Sequence, residues 1–345
     1  MTLRVAIMFG GGGALGAFGC GVWKALSKYL SGAEIIGAAG TSIGAVNAAF
    51  VAEHGADVAA SAADMETMWR QDLATPSLPF AGLPLQRALQ SWNGFITGML
   101  MGNRGMGQPN FAHWNPLMGL HRIERPLMDR SRMWSLLNSR LGSFRATSAH
   151  DTLLAAAAVD VMSGKLRLFD SAQEQVEVQH LCASSAIPVL FDPVMIDDRL
   201  YWDGDVTRQA ALPLFLDALR RSGRLSGQDH PKDETVLVTI DQMSEEASKL
   251  PESEVEMAYR VLELLTHGKM NLQAGQLQGI TRVVSIRRRP MEHDGVSGQL
   301  DYSPERIDEL IELGMLQAEE AWTGTASNSA HRKEAHGEIQ LPRVA

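Results

Sequence analysis

Two neighbouring stretches near the start of the chain decide the fold. Residues 4–26 read RVAIMFGGGGALGAFGCGVWKAL, and residues 34–54 read EIIGAAGTSIGAVNAAFVAEH. Each begins with an apolar run typical of a strand, passes through a glycine-rich turn and continues with a pattern typical of a helix. Two successive strand–turn–helix units predict a largely parallel sheet covered by helices. Ligands of such sheets bind beyond the carboxyl ends of the strands, so both glycine turns are expected to border one site.

The composition is that of a folded protein, and the small number of cysteines is consistent with a reducing compartment. The chain has 345 residues, of which 45% are apolar and 21% are charged, as in ordinary globular proteins. Its net charge of -9 supplies no basic surface for nucleic acid. Cys20 and Cys182 are the only cysteines, so neither a disulfide scaffold nor a cysteine-ligated zinc site is expected. We expect a cytoplasmic protein without metal or cofactor, and we leave open a peripheral contact with the inner membrane.

The N-terminal stretch up to Cys20 also has the outline of an export signal that ends at a lipidated cysteine. Its many glycines make a poor helical segment, and Phe18 is bulky where export signals prefer small residues. No window reaches 18 apolar residues without a charge or a cluster of glycines. Neither a cleaved leader nor a transmembrane helix is therefore expected.

The chain divides into a catalytic domain at 1–215, an extension at 216–325 that packs on the same sheet, and a polar tail at 326–345 that we expect to be disordered. Further patterns predict helices at 131–141, 254–265 and 305–321, strands at 175–179 and 235–241, and a hairpin of apolar runs at 152–162 and 166–169.

An insertion at about 75–130 interrupts the first domain. It is rich in proline and glycine and carries apolar side chains without a sustained period, which is typical of a lid or a binding loop. An irregular packing layer is the alternative. The candidate substrate-binding residues of the insertion are Trp92, Phe95, Met99 and Phe111.

The turn from Gly40 to Gly44 matches the pattern G-x-S-x-G. In that pattern a serine sits on a tight strand-to-helix turn, and the flanking glycines leave room for the strained backbone and the substrate. The positive end of the following helix favours an oxyanion beside Ser42. The alternative is a serine that only caps this helix.

The first glycine turn, from Gly11 to Gly16, allows two functions. It matches the G-x-G-x-x-G pattern of dinucleotide-binding proteins, and it equally supplies backbone N–H groups for an oxyanion. Dinucleotide binding requires an acidic residue at the end of the second strand, whereas Glu34 precedes that strand. The oxyanion function is therefore favoured, with close packing of helix and strand as the alternative.

A serine nucleophile needs a base, and none of the ten histidines lies in a recognisable motif. Ser42 follows only the second strand, which argues against the α/β-hydrolase arrangement. Asp203 in the run Tyr201 to Asp205 is the other candidate, although Asp-Gly after an apolar strand is more often just a turn.

Together, the glycine turn, Gly-Thr-Ser-Ile-Gly, Ala-Ser-Ser-Ala-Ile-Pro at 183–188 and Asp203-Gly204 resemble the patatin-like phospholipases and acyl hydrolases over roughly residues 4–215. Weaker motifs at 115–117 and 287–290 are similar to a bacterial subgroup with a C-terminal extension.

The resemblance implies a three-layer α/β/α sandwich with a mainly parallel central sheet. It implies a Ser–Asp dyad without histidine, in which Ser42 is the nucleophile and Asp203 is its base. The N–H groups of Gly11, Gly12 and Gly13 would form the oxyanion hole, and a fatty acyl ester of a lipid would be the substrate, bound without a cofactor.

Two residues depart from the family pattern. Asp205 stands where the family usually has Gly or Ala, and Leu15 stands where many members have a basic residue. A carboxylate this close to Asp203 should raise the pKa of the base. An impaired lipid-binding or partner-binding protein of the same fold therefore stays open. An acyltransferase or a thioesterase also stays open, because either could use the same Ser42. The sequence does not indicate an oligomeric state.

Overall fold

In the computed structural model, a mixed sheet runs through the centre of the described part of the chain. The structure describes residues 2–76, 93–94, 96–98, 100–103, 107–110, 126–225, 234–244, 246–247, 250–251, 257, 260–261, 264, 269–271, 274–291, 294 and 299–324.

The strands are β1 (Leu3–Phe9), β2 (Glu34–Thr41), β3 (Gln108–Pro109), β4 (Met128–Asp129), β5 (Leu153–Asp160), β6 (Leu166–Asp170), β7 (Val194–Ile196), β8 (Arg199–Asp203), β9 (Glu234–Asp241) and β10 (Arg282–Arg287). The α-helices are α1 (Gly16–Leu26), α2 (Ile43–His54), α3 (Val58–Thr67), α4 (Ser131–Arg140), α5 (Val178–Ser184), α6 (Ala211–Arg221) and α7 (Pro304–Thr323). Short 3-10 turns lie at Gly13–Leu15, Gly204–Val206 and Ala274–Leu277, and a π-helical turn lies at Met68–Leu73.

Eight strands form the main sheet in the order β10-β9-β1-β2-β5-β8-β7, with β6 also paired to β5. The pairs from β10 to β5 are parallel, whereas β6, β8 and β7 join through antiparallel pairs. The strands β9 and β10, which follow residue 215, extend this same sheet beyond β1. The short strands β3 and β4 pair separately.

Helices cover both faces of the sheet, so its parallel strands are buried on both sides. Val5, Ile7 and Phe9 face one core, which also contains apolar residues of α1, α2, α3 and α7. Ala6 and Met8 face a second core, which α6 closes from the other side. The strand β1 is therefore apolar at nearly every position rather than at alternate ones. The expected α/β/α sandwich with a mainly parallel sheet is confirmed.

Most of the predicted elements are present, but the strand at 175–179 is wrong. Val176 makes only an isolated bridge to Phe144, and α5 begins at Val178. The N–H of Glu177 donates to Nδ1 of His180 at 2.9 Å, so a local hydrogen bond turns the chain into a helix. Alternating apolar and polar residues at this point suggested a strand because the pattern does not reveal that bond.

Several sequence expectations fall on residues outside the described part. These are most of the insertion at 75–130, most of the helix at 254–265 and the tail at 326–345. Across the residues that are described, no helix is both long and apolar enough to cross a membrane.

The helices α1 and α7 pack with almost no space between their backbones. A methyl group at Gly314 would lie 2.2 Å from the carbonyl oxygen of Phe18, and one at Gly21 would lie 2.0 Å from that of Ile311. Both distances are far below van der Waals contact, so each position requires glycine. The close approach fixes α1, which starts at the glycine turn, against the C-terminal helix.

We therefore expect Gly314→Ala to lower the free energy of unfolding by about 1–3 kcal/mol, the usual cost of inserting a methylene group into a packed core. Chemical denaturation measures the change. Gly275→Ala is the matched control, because Gly275 has nothing within 4 Å of its added methyl group. Equal stability of the two variants would contradict the tight helix contact.

Candidate active site

Ser42 stands at the sharp turn between β2 and α2. Its φ of 53° and ψ of -131° place a non-glycine residue in a strained region of backbone space. A methyl group at Gly40 would lie 2.1 Å from the carbonyl carbon of Gly44, and one at Gly44 would lie 2.3 Å from the carbonyl oxygen of Gly10. Both glycines of the G-x-S-x-G pattern are therefore required by close backbone contacts. The turn presents a serine at the carboxyl end of the sheet.

The register of β5 brings Asp203 to this serine. On one edge of β5, Thr41 at the end of β2 pairs with Ala157, and Asp203 at the end of β8 pairs with the next residue, Ala158. The other edge of β5 is taken by β6. The strands β2 and β8 thus meet end to end, which brings the hydroxyl group of Ser42 to the carboxyl group of Asp203.

Asp203 is buried, with 2% of its surface exposed. Burial raises the pKa of its carboxyl group to about 7, and the negative charge of Asp205 acts in the same direction. The hydrogen bonds from Ser42 and from the N–H of Asp205, together with the charge of Lys269, lower the pKa and so offset part of this rise. At neutral pH the group therefore exchanges a proton readily, which suits a general base.

The segment Cys182–Ile187 supports the backbones of both Ser42 and Asp203 through hydrogen bonds. The N–H of Ser42 donates to the carbonyl oxygen of Ser184 at 3.1 Å and to its Oγ at 3.0 Å. Oγ of Ser184 donates to the carbonyl oxygen of Ala157, and the N–H of Asp203 donates to that of Ala186. The Ala-Ser-Ser-Ala-Ile-Pro motif thus supports the backbones of Ser42 and Asp203 rather than contributing a reactive group.

A buried guanidinium group fixes this supporting segment. Arg130 donates to the carbonyl oxygen of Cys182 at 3.0 Å and to Oγ of Ser185 at 2.7 Å, and it lies 4.4 Å from the ring centre of Phe191. Its desolvation lowers its pKa. Sequence analysis missed Arg130 because no motif surrounds it.

The glycine turn lies on the other side of Ser42. Gly12 and Gly13 have φ values of 143° and 59°, which favour glycine. A methyl group at Gly13 would lie 2.3 Å from the carbonyl oxygen of Gln299, which accepts a hydrogen bond from the N–H of Ala14. No described residue accepts a hydrogen bond from the N–H groups of Gly11, Gly12 and Gly13. The turn therefore offers donors that a ligand oxygen could use.

Asp205 points back toward this turn. A methyl group at Gly11 would lie 1.8 Å from Oδ2 of Asp205 and 2.9 Å from Cβ of Ser42. Nζ of Lys269 donates to the carbonyl oxygen of Asp205 at 2.7 Å and to its Oδ1 at 3.2 Å. Sequence analysis identified Asp205 as a departure from the family pattern but missed Lys269, which lies 64 positions away.

A cavity of about 440 Å³ opens in front of Ser42, which is within the range of small-molecule sites. Asp203 and the glycine turn line its reactive end. The apolar part of its wall comes from Met8, Ile187, Val206, Ala211, Met243 and Met270. No histidine is among the described residues that line it. The four aromatic and methionine residues predicted to bind substrate, Trp92, Phe95, Met99 and Phe111, lie outside the described residues.

The structure does not support a dinucleotide, the alternative ligand of the glycine turn. Glu34 forms an ion pair with Arg4 at 3.1 Å at the start of β2, the end of the sheet opposite the glycine turn. It therefore cannot hold the ribose of a dinucleotide bound at that turn. Within the described ranges, no three potential metal-ligating side chains from His, Cys, Asp and Glu come together.

The chain was compared with protein families and with solved structures. Residues 7–215 match the family model of the patatin-like phospholipases. The fold is similar to the crystal structure of VipD from Legionella pneumophila, with 13% identity and a TM-score of 0.39 over 92% of this chain and 66% of that chain. It is also similar to the heterodimeric ExoU-SpcU complex from the type III secretion system of Pseudomonas aeruginosa, with 14% identity and a TM-score of 0.30 over 96% of this chain and 60% of that chain.

This chain thus spans less than two thirds of the length of either solved chain. No curated protein matches it. The family match extends over more than half of the sequence and includes both Ser42 and Asp203. The chain belongs to the patatin-like phospholipase family.

Proposed function

We propose that the protein is a serine acyl hydrolase that cleaves fatty acyl esters of lipids through a dyad of Ser42 and Asp203. The observation that carries this proposal is that the hydroxyl group of Ser42 and the buried carboxyl group of Asp203 interact where both line one partly apolar cavity. Family membership supports lipid esters as the substrate class.

The first half of the reaction forms an acyl-enzyme. The carboxylate of Asp203 takes the proton of Ser42 as Oγ attacks the ester carbonyl carbon. The N–H groups of Gly11, Gly12 and Gly13 stabilise the negative charge that develops on the carbonyl oxygen. When the tetrahedral intermediate collapses, the bond to the alcohol breaks and protonated Asp203 returns the proton to the leaving oxygen.

The second half releases the fatty acid. Asp203 takes a proton from a water molecule, and the hydroxide oxygen attacks the acyl carbon that is bonded to Ser42. Collapse breaks the acyl–Oγ bond, and the proton on Asp203 returns to Ser42. The same acyl-enzyme could pass its acyl group to an alcohol instead of water, which is how an acyltransferase would use Ser42.

One observation favours a second candidate, a catalytically impaired lipid-binding protein. Oδ2 of Asp205 lies close to Gly11, so a negative charge stands beside the donors that would hold the oxyanion. The ion pair with Lys269 offsets this charge, and for that reason the hydrolase remains the better supported function. Reactivity of Ser42 separates the two candidates.

We expect a fluorophosphonate to add once to the protein, at Ser42, and Ser42→Ala to abolish both labelling and hydrolysis of a p-nitrophenyl acyl ester. Loss of a serine nucleophile lowers kcat by about 10⁶ in a serine protease. Intact-mass spectrometry and ester hydrolysis measure the two effects. Ser139→Ala is the control, because Ser139 is an exposed serine on α4. Residual activity above about a tenth of wild type in Ser42→Ala would refute the nucleophile, against the far larger loss expected.

No histidine should act as the base. Each single His→Ala variant at positions 54, 113, 121, 150, 180, 230, 267, 293, 331 and 336 is expected to retain ester hydrolysis, because Asp203 contacts Ser42 directly. A variant that keeps its fold, judged by circular dichroism, but is as inactive as Ser42→Ala would overturn the dyad.

The acid limb of the pH profile of kcat/KM, where activity rises as the pH increases, should report the titration of Asp203. Its pKa is raised to about 7, and Asp205 contributes to the rise, so removing that charge lowers the pKa and moves the limb to lower pH. We expect Asp205→Asn to move it by about one unit and to leave the alkaline side unchanged. Asp205→Gly restores the usual family residue but adds backbone freedom, so a shift shared by both variants isolates the charge. An unmoved limb in both would show that Asp205 does not act on the base.

A further inference from the structure

Lys269 is a largely buried cation outside the region that matches the family. Its side chain is 11% exposed, and it follows the family match by more than 50 positions. Lysine is almost never buried unless it is paired. Its partner here is Asp205, the residue that departs from the family pattern beside the proposed base.

The contacts of Lys269 reach both the charge and the backbone of this partner. Nζ donates to the carbonyl oxygen of Asp205 at 2.7 Å as well as to Oδ1 at 3.2 Å. The N–H of the same residue donates to Oδ1 of Asp203 at 2.7 Å. The ammonium group therefore clamps the peptide turn Gly204–Val206, and that turn places a hydrogen-bond donor on the base.

The surroundings of Asp203 make this cation important. The neighbours of Asp203 are Ser42, which lies in the β2–α2 turn, and Asp205, which lies in the turn that follows Asp203 itself. Arg130 interacts electrostatically with Asp203, and its guanidinium group is hydrogen bonded to Cys182 and Ser185. Asp241 and Arg208 line the same cavity. Two carboxylates this close repel each other, and Lys269 is the cation hydrogen bonded to one of them.

We propose that Lys269 is a positioning residue of the reaction, which neutralises Asp205 and holds the Gly204–Val206 turn so that its N–H stays on Asp203. The proposal rests on the hydrolase function proposed above. By neutralising Asp205, Lys269 allows an aspartate to occupy the position after Asp-Gly where the family usually has a small residue.

The test compares wild type, Lys269→Met, Lys269→Arg and the double variant Lys269→Met/Asp205→Asn. Two rates are measured across pH for each protein: the fluorophosphonate labelling of Ser42, and kcat and KM for a p-nitrophenyl ester. Removing the cation leaves the charge of Asp205 uncompensated and raises the pKa of Asp203, so the acid limb of Lys269→Met is expected to move to higher pH by at most about one unit, because Lys269 makes the smallest of the contributions to this pKa.

Arginine can keep the ion pair with Asp205, so the acid limb of kcat/KM in Lys269→Arg should stay near its wild-type pH. The double variant removes both charges and should return the limb close to that of wild type. Lys24→Met is the matched control: it breaks the ion pair with Glu66 at 2.6 Å near the end of α1 farthest from the glycine turn and should leave the limb unchanged.

Other outcomes overturn the proposal. A higher KM with an unmoved limb would make Lys269 a binding group for an anionic part of the substrate. If the activity of Lys269→Met falls by the same factor at all pH values and its Tm is lower, the role of Lys269 would be purely structural. If Lys269→Met does not fold, a limb in the double variant that differs from wild type would refute the compensation, and a matching limb would support it. A wild-type protein that does not label would refute the hydrolase function itself.

Discussion

The site depends on the register of β5, along which two strands from distant parts of the chain end at consecutive residues. Thr41 faces Ala157 and Asp203 faces Ala158, so neither β2 nor β8 can continue without meeting the other. The chain must leave the sheet at Ser42 and at Gly204. Each exit is crowded: a methyl group at Gly204 would lie 2.4 Å from the carbonyl oxygen of Ala157, which also accepts the hydroxyl of Ser184.

This arrangement strains the backbone at Ser42, and the surrounding contacts hold the strain in place. A non-glycine residue in such a conformation costs about 1–3 kcal/mol. The bifurcated hydrogen bond from its N–H to the carbonyl oxygen and Oγ of Ser184 contributes about 0.5–1.5 kcal/mol, and the tight packing of Gly40 on Gly44 prevents the turn from relaxing. The cost and the opposing contributions are of similar size, so the serine can remain strained in the folded protein.

Charge is the second constraint on the site. A buried Asp203 is poised to exchange a proton because burial opposes its ionisation, and any further anion increases that effect. Asp205 adds such an anion, and the chain places Lys269 against it from a segment between β9 and β10. A residue that departs from the family pattern is thus matched by a partner elsewhere in the chain.

The sequence by itself determined the parallel sheet, the serine turn and the glycine turn, because each arises from residues that are adjacent along the chain. Apolar runs, close glycines and helix patterns act locally, so their physical consequences can be read from short windows. The predicted strand at 175–179 failed where a local hydrogen bond between Glu177 and His180 outweighed the alternation of residues.

Only the tertiary structure decided which residues meet. Ser42 and Asp203 are 161 positions apart, and their contact depends on the pairing of both β2 and β8 with β5. The roles of Arg130, Ser184 and Lys269 depend on hydrogen bonds between separate segments. The charge balance around Asp203 likewise belongs to no stretch of sequence. Burial and long-range pairing arise only when the chain folds, and they set both the proton affinity of Asp203 and the support of the backbone at Ser42.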